Sequence, residues 1–403
     1  MRLSVPASAF VASIVGFGGT LALIIAAAQA VHASEAQTAS WVTAVCLALV
    51  IETGWLSWRY RMPIIAAWST PGVALIAASS GFTMNDAVGA FIVAALMLLA
   101  TGMFKPLTRL IARIPASVAS GMLAGIVVGF VMGAANTVSA DPVLILPLIA
   151  LFLLVRLFNP ALSVLAVLVL GAVAAYIAGR IGVLPAPALS MLVVTLPHFS
   201  AGGVFGLAVP LYLVTMASQN LSGLAVLRAD GYDPPPGPLI AFTGFFSAVS
   251  APFGAHSTNL AAISAAICTG PEAHPDPAKR WLTGPFYAFF YLVYAVFGAS
   301  LVALFAVLPQ SLVVLVAGLA LLAPLANALS IALAGEQDRI AAITSFAVTA
   351  SGLALLGIGS AFWGLAAGII ILGLDRVRDR CRARPGDAPR LTDEIDAEAM
   401  KVE

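Results

Sequence analysis

Long apolar runs separated by short polar breaks dominate the chain. Runs of spanning length, about 17–25 residues, fall near 10–31, 41–58, 87–104, 115–135, 142–157, 160–179, 203–224, 285–306, 311–333, 340–356 and 359–374. Residues 238–250 form a shorter run that extends or kinks toward Pro252. Two more segments, 71–80 and 258–269, are apolar but too short to cross a bilayer alone. They sit in related surroundings. A-W-S-T-P-G-V-A-L-I-A-A at 67–78 and A-H-S-T-N-L-A-A-I-S-A-A at 255–266 align without a gap, pairing Ser69 with Ser257 and Thr70 with Thr258; Pro63 precedes the first and Pro252 the second. Short, Pro- or Gly-interrupted apolar segments at corresponding places in two halves point to a transporter binding site.

Other echoes follow in the same order. Gly16–Gln29 resembles Gly206–Gln219, and the stretch 114–126 resembles 308–319. The pattern predicts an all-α polytopic membrane protein of about 14 membrane elements in two seven-element repeats. Seven is odd, so the repeats are inverted relative to each other. Two half-helices and short extended segments are expected at the centre.

Charge placement tests that count. With the N-terminus inside, all of the 19 Lys and Arg residues except Arg180 fall on the inner side, as the positive-inside rule requires. The inner set includes Arg59, Arg61, Lys105, Arg109, Arg113, Arg156, Arg228, Lys279, Arg280 and Arg339. Dropping one span would reverse the later loops. Both termini are therefore expected to be cytoplasmic.

Composition agrees: 61% of the 403 residues are hydrophobic and 9% are charged, whereas soluble domains carry about 25% charged residues. A net charge of +1 gives no reason to expect a nucleic-acid partner. Cys46, Cys268 and Cys381 form neither a disulfide framework nor a metal-ligand spacing. No metal or cofactor is expected, and no nucleotide-binding or hydrolase motif occurs. The run from Phe10 to Val31 is longer than the ~7–15 apolar residues of a signal peptide, so it reads as the first membrane helix.

A broken helix exposes backbone N–H groups and the positive end of its dipole at the break. Two such starts, brought together at mid-membrane, suit an anion. Ser69, Thr70, Ser257, Thr258 and Asn259 are placed to cap them and to offer hydroxyl and amide contacts, although capping alone would also account for these residue types. Gln219 and Asn220 are costly in a membrane helix unless paired; they either line the cavity or clamp helices together. Gln29, the repeat partner of Gln219, favours a structural role but stays in the candidate set. Trp68 and His256 stand directly before the two half-helices. Trp68 suits stacking on an aromatic ring, or an interfacial position. His256, kept neutral beside a helix start, suits hydrogen bonding to a carboxylate, or plain packing. Glu52 is the acidic residue most clearly inside a span. A carboxyl group there fits a proton carrier. An ion pair with Arg59 or Arg61 fits its position toward the inner end, and that structural reading weighs more.

The motifs V-T-M-A-S-Q-N-L-S-G at 214–223, A-P-F-G-A-H-S at 251–257, A-A-I-S-A-A-I-C-T-G-P-E-A-H-P-D-P at 261–277, A-A-W-S-T-P-G at 66–72 and G-I-G-S-A-F-W-G-L at 357–365 closely resemble the BenE family of benzoate/proton symporters. The resemblance covers nearly the whole membrane part. It implies proton-driven import of benzoate or a related aromatic carboxylate across a bacterial inner membrane. The family is similar to nucleobase and sulphate-type anion transporters, which implies a core domain (1–112 and 199–306), a gate domain (113–198 and 307–375) and possible homodimerisation through the gate. The nucleobase branch carries acidic residues in the helices matching 203–224 and 258–269. This chain has none there, which suits an anionic substrate and leaves the proton site between Glu52 and His256. Residues 376–403 are expected to be a disordered cytoplasmic tail. An uncoupled anion channel or uniporter, or a nucleobase or inorganic-anion carrier of the same fold, are the rival readings.

Overall fold

The computed structural model describes residues 3–104, 115–355 and 358–382. The inner-loop bases Lys105, Arg109 and Arg113 and the tail 383–403 lie outside the described residues. The protein is a mostly helical membrane protein. Helices α1 (Ser4–Ala30), α2 (Glu35–Tyr60), β-strand β1 (Ala66–Trp68), α3 (Thr70–Ala77) and α4 (Met84–Met103) come first. Then follow α5 (Ala116–Ala140), α6 (Pro142–Phe158), α7 (Ser163–Ile177) and the long α8 (Ala201–Ala229). The last set is α9 (Pro236–Ser250), β2 (Thr258–Leu260), α10 (Ile263–Thr269), α11 (Thr283–Val296), α12 (Gly298–Ala306), α13 (Gln310–Ala334), α14 (Arg339–Ala350) and α15 (Ser360–Arg382). Six of these helices are individually long and apolar enough to cross a membrane, and α6, α7, α14 and the apolar part of α15 are shorter apolar helices.

Two packing groups are evident. In one, α5 packs on α13, α14 and α15, while α6 and α7 pair beside them. In the other, α1, α2, α3, α4, α8, α9, α10 and α11 surround the two strands. The groups meet where α1 touches α13 and α7, and where α5 touches α3 and α8. Small residues let helices approach closely where lipid gives no hydrophobic drive. Against α4, a Cβ on Gly244 would lie 2.5 Å from Leu99 N, and one on Gly102 would lie 2.3 Å from Ala241 N. On α5, a Cβ on Gly121 would lie 2.3 Å from the Ala342 carbonyl.

Three sequence expectations change. The run near 285–306 is not one straight crossing: the chain bends by 61° between Val296 and Gly298. The break is met by another part of the chain. Residues 179–200 form a non-helical strap, rich in proline, across this end. Ser190 N donates to the Val296 carbonyl at 3.0 Å, while Ala299 N donates to Ser190 Oγ at 2.9 Å. The strap thus satisfies the groups that the break frees. His198, which the sequence gave no reason to single out, ends the strap in a hydrogen-bonding contact: its Nδ1 lies 2.5 Å from Asp86 Oδ1. Last, α15 does not stop at Asp375 but continues as helix to Arg382, into the segment expected to be tail.

Arg180, the one basic residue on the outer side in the charge analysis, pairs with Asp141. Ser311 on α13 donates to the same carboxylate at 3.2 Å. Burial raises the Asp141 carboxyl, but the Arg180 guanidinium and the hydrogen bonds outweigh it and hold the group below the ordinary carboxylate range.

Gly244→Val should therefore separate α9 from α4. Overpacking of this kind costs about 1–3 kcal/mol, and a lowered unfolding temperature in detergent, read by intrinsic fluorescence, is the expected result. The same substitution at Gly129, where a Cβ meets nothing within 4 Å, should leave the transition in place.

Candidate functional site

The two interrupted segments face each other through a two-stranded antiparallel ribbon. Ala66 pairs with Leu260, Ala67 with Asn259 and Trp68 with Thr258. Ser69 N donates to the Ser257 carbonyl at 3.1 Å, and Ala261 N to the Ile65 carbonyl at 2.8 Å, extending the ladder at both ends.

The first half-helix forms as its sequence requires. Pro71 occupies its first turn, and the Ser69 hydroxyl accepts from Gly72 N at 3.2 Å as the N-cap. Thr70 begins α3, and its hydroxyl lies 3.1 Å from that of Thr20 on α1. The second half-helix departs from expectation: it starts at Ile263 rather than 258. Ser257, Thr258 and Asn259 do not cap it, since Thr258–Leu260 is extended and Ala262 precedes α10 without a side-chain bond. The β-branched Thr258 and the pairing offered by residues 66–68 override the helical reading.

Alternation along β2 sorts its side chains onto two faces. Thr258 turns toward α2 and α9: its hydroxyl donates to Glu52 Oε1 at 2.5 Å and lies 2.9 Å from Ser247 Oγ. Ser257 and Asn259 take the other face. Both are buried, and the Ser257 hydroxyl and the Asn259 side-chain carbonyl have no hydrogen-bond partner. The Asn259 amide N–H donates to the Leu260 carbonyl at 2.9 Å. Buried polar atoms are nearly always paired, so two orphans on one strand face call for an explanation.

α8 closes the site from the side. It contains two wide π-turns, Val204–Ala208 and Thr215–Asn220. The first lies just before Pro210, whose ring would otherwise clash with the preceding turn. The second carries Thr215, whose hydroxyl donates to Ser69 Oγ at 2.8 Å, and Asn220, whose side-chain oxygen accepts from Leu260 N at 3.1 Å. Asn220 is therefore a clamp on the ribbon. Gln219, half-buried on the same turn, has no hydrogen-bond partner among the described residues. Thr215 and Thr20 belong to the site and were missed in the sequence, because a lone threonine in an apolar helix carries no periodic signal.

The remaining candidates separate. His256 is buried, and Trp41 Nε1 donates to its Nδ1 at 2.9 Å, which fixes a neutral ring protonated on Nε2. Nε2 faces the Ser69 main chain and makes no formed hydrogen bond. Trp68 is committed inside the packing: its Nε1 donates to the Gly16 carbonyl at 3.2 Å, and its ring lies 5.3 Å from Phe17 and 6.0 Å from Tyr291. Gln29 is exposed in the last turn of α1 and is not brought to the ribbon. Glu52 does not pair with an arginine. Arg61 stacks on Trp281 at 4.3 Å and Arg59 lies over Tyr60 at 5.5 Å. No ion pair among the described residues includes Glu52. Its Oε1 meets Thr258, and its Oε2 has no partner.

Interrupted apolar segments joined tip to tip, with unpaired polar groups beside the break, are the arrangement found at the binding sites of helical membrane transporters. The chain belongs to the BenE family, described as "Benzoate membrane transport protein", which matches residues 2–374; it is a membrane transport protein and not an enzyme. It is 40% identical over 378 residues to the inner membrane protein YdcO of Escherichia coli, spanning 93% of this chain and 96% of that one. It is 34% identical over 370 residues to the benzoate membrane transport protein of Acinetobacter baylyi, spanning 91% and 94%. Among solved structures, the transmembrane domain of the cyanobacterial bicarbonate transporter BicA matches with a TM-score of 0.58 and 16% identity over 94% of this chain and 98% of that one. SLC26A9 matches with a TM-score of 0.62 and 12% identity over 93% of this chain and 65% of that one. These likenesses establish the fold.

Asn220 and Ser257 should differ in kind. Asn220→Ala strands the Leu260 N–H, a loss of about 1–3 kcal/mol, and should lower the unfolding temperature in detergent. Ser257→Ala removes a hydroxyl that bonds nothing in the protein and should leave that temperature within error.

Proposed function

We propose that this protein is a secondary transporter that takes up benzoate or a related aromatic carboxylate together with protons. The observation that carries this reading is the pair of unpartnered polar groups, Ser257 and Asn259, on one face of β2 and next to the capped start of α3. Ser257 supplies an O–H donor. The Asn259 amide keeps its N–H on the Leu260 carbonyl and presents its own carbonyl, an acceptor for the O–H of a protonated carboxylic acid. Gln219 and the His256 Nε2–H add further donors, and the α3 start adds a favourable dipole. The lack of any acidic side chain on α8 or α10 keeps a like charge away from the substrate carboxylate.

The proposal extends to how the protein moves. Residues 1–112 and 199–306 would act as the core domain and 113–198 and 307–375 as the gate, sliding on the seam between α1, α3 and α8 on one side and α5, α13 and α15 on the other. The packing groups described above support that division. The charge pattern supports placing both termini in the cytoplasm, and the name of the YdcO relative supports a bacterial inner membrane. A homodimer would form through the gate.

Reconstituted vesicles test the reading. Radiolabelled benzoate should accumulate only with an inward proton gradient, and Ser257→Ala and Gln219→Ala should each raise KM about 10–150-fold, the size of one lost hydrogen bond to a charged group. Uptake indifferent to pH would point to a uniporter or channel. A thermal-shift panel in which uracil or sulphate, not benzoate, stabilises the protein would overturn the substrate class.

A further inference from the structure

The interaction between Glu52 and Thr258 couples two chemistries across one strand, and this inference rests on the transport reading above. Thr258 has a single hydroxyl hydrogen and three partners in reach: Glu52 Oε1 at 2.5 Å, the Thr243 carbonyl at 3.2 Å and Ser247 Oγ at 2.9 Å. Ser247 Oγ also accepts from Thr258 N at 2.9 Å, which directs its own hydrogen back toward Thr258. If Glu52 is ionised, Thr258 must give its hydrogen to the carboxylate. The charge then rests on one hydrogen bond in a fully buried place, with Oε2 bare, an arrangement that strongly disfavours a charge. If Glu52 is protonated on Oε1, the direction reverses: the carboxyl O–H donates to Thr258 Oγ1, and Thr258 turns its hydrogen to the Thr243 carbonyl. Every hydrogen then has an acceptor, and the oxygen left bare is a neutral carbonyl.

Among the described residues, no charged side chain is paired with this carboxyl. The elements packed against α2 bring the ionisable side chains Lys279, Arg280, Tyr287, Tyr291 and Tyr294, and α2 itself carries Glu35, Cys46, Arg59 and Tyr60. Arg280 bonds the carbonyls of Thr269 and His274, and Lys279 pairs with Asp276. Tyr287 and Tyr291 stack on each other, and Tyr294 lies 3.1 Å from Ser13. His256 is bonded to Trp41. None is hydrogen-bonded to Glu52.

We propose that the ribbon is held in the arrangement seen here by a protonated Glu52 donating to Thr258, and that Thr258 is the positioning residue through which proton occupancy sets the strand that presents Ser257 and Asn259 to the substrate. The proton comes from water on the side where the site opens, binds Oε1, and leaves to water on the other side. No covalent bond other than O–H forms or breaks. Deprotonation leaves a buried charge resting on the single hydrogen bond from Thr258 with Oε2 bare, so Glu52 gives up its proton, and the strand is released, only when the carboxylate can be hydrated.

The test separates coupling from binding in proteoliposomes of the full chain. A one-unit inward pH gradient with one proton per substrate supports about tenfold accumulation. Glu52→Gln keeps a neutral donor against Thr258, so exchange of labelled for unlabelled benzoate at symmetrical pH should persist while gradient-driven accumulation falls to none. Thr258→Val should shift the pH midpoint of exchange, and Thr258→Ser should restore it. Accumulation by Glu52→Gln equal to that of the unaltered protein would overturn the proposal, as would an unshifted pH midpoint in Thr258→Val. Should Glu52→Gln fail to fold, the Val and Ser variants at 258 decide alone. If the unaltered protein moves no benzoate, the transport reading fails instead.

Discussion

A strand ribbon inside a membrane protein has a problem that a helix does not. Its inner edges pair with each other, but its outer edges present N–H and C=O groups that no water meets, each unpaired group costing several kcal/mol in hydrocarbon. Here side chains meet that demand. Ala66 N donates to Thr53 Oγ1 at 3.0 Å, and the Ile64 carbonyl accepts from Ser57 Oγ at 2.8 Å. On the other strand, Thr258 N donates to Ser247 and Leu260 N to Asn220. Four polar side chains from α2, α8 and α9 thus hold the ribbon, and with it the relative position of the two half-helices.

That constraint divides the polar residues near the break. Thr53, Ser57, Asn220 and Ser247 are spent on backbone. Ser69 and Thr215 are spent on the cap of α3. What is left over on one strand face is the Ser257 hydroxyl and the Asn259 side-chain carbonyl, which no group among the described residues uses. The opposite face carries Thr258 and Glu52. In the proposed mechanism, a strand of three residues links the proton site to the substrate site, since alternation alone puts the two on opposite sides.

Much of this was legible in the sequence. The matched A-W-S-T-P-G and A-H-S-T-N segments located both interruptions, and the ordered echoes with the one-sided arginines and lysines indicated a repeated membrane fold. The capping role of Ser69 followed from Ser-x-Pro-Gly at a helix start. The start of α10 did not, because an identical S-T pair caps in one repeat and pairs as strand in the other; only the partner strand decides. Glu52 looked like half of an ion pair because Arg59 and Arg61 lie about two to two and a half turns further along the chain. Those arginines instead lie over Tyr60 and Trp281, and the true partner is 206 positions away in sequence. His198 and Asp86 were invisible for the same reason. Contacts made across the fold by single polar residues leave no periodicity to read.

The register of the ribbon is the claim that carries the others, and cross-linking tests it most directly. In a background with Cys46, Cys268 and Cys381 replaced, the pair Ala67→Cys and Asn259→Cys should form a disulfide readily under mild oxidation in membranes, because directly opposed residues of an antiparallel pair have Cα atoms about 4.5–5.5 Å apart. The slipped pair Ala66→Cys and Asn259→Cys, pointing to opposite faces, should not. Equal cross-linking of both pairs, or of neither, would contradict the account.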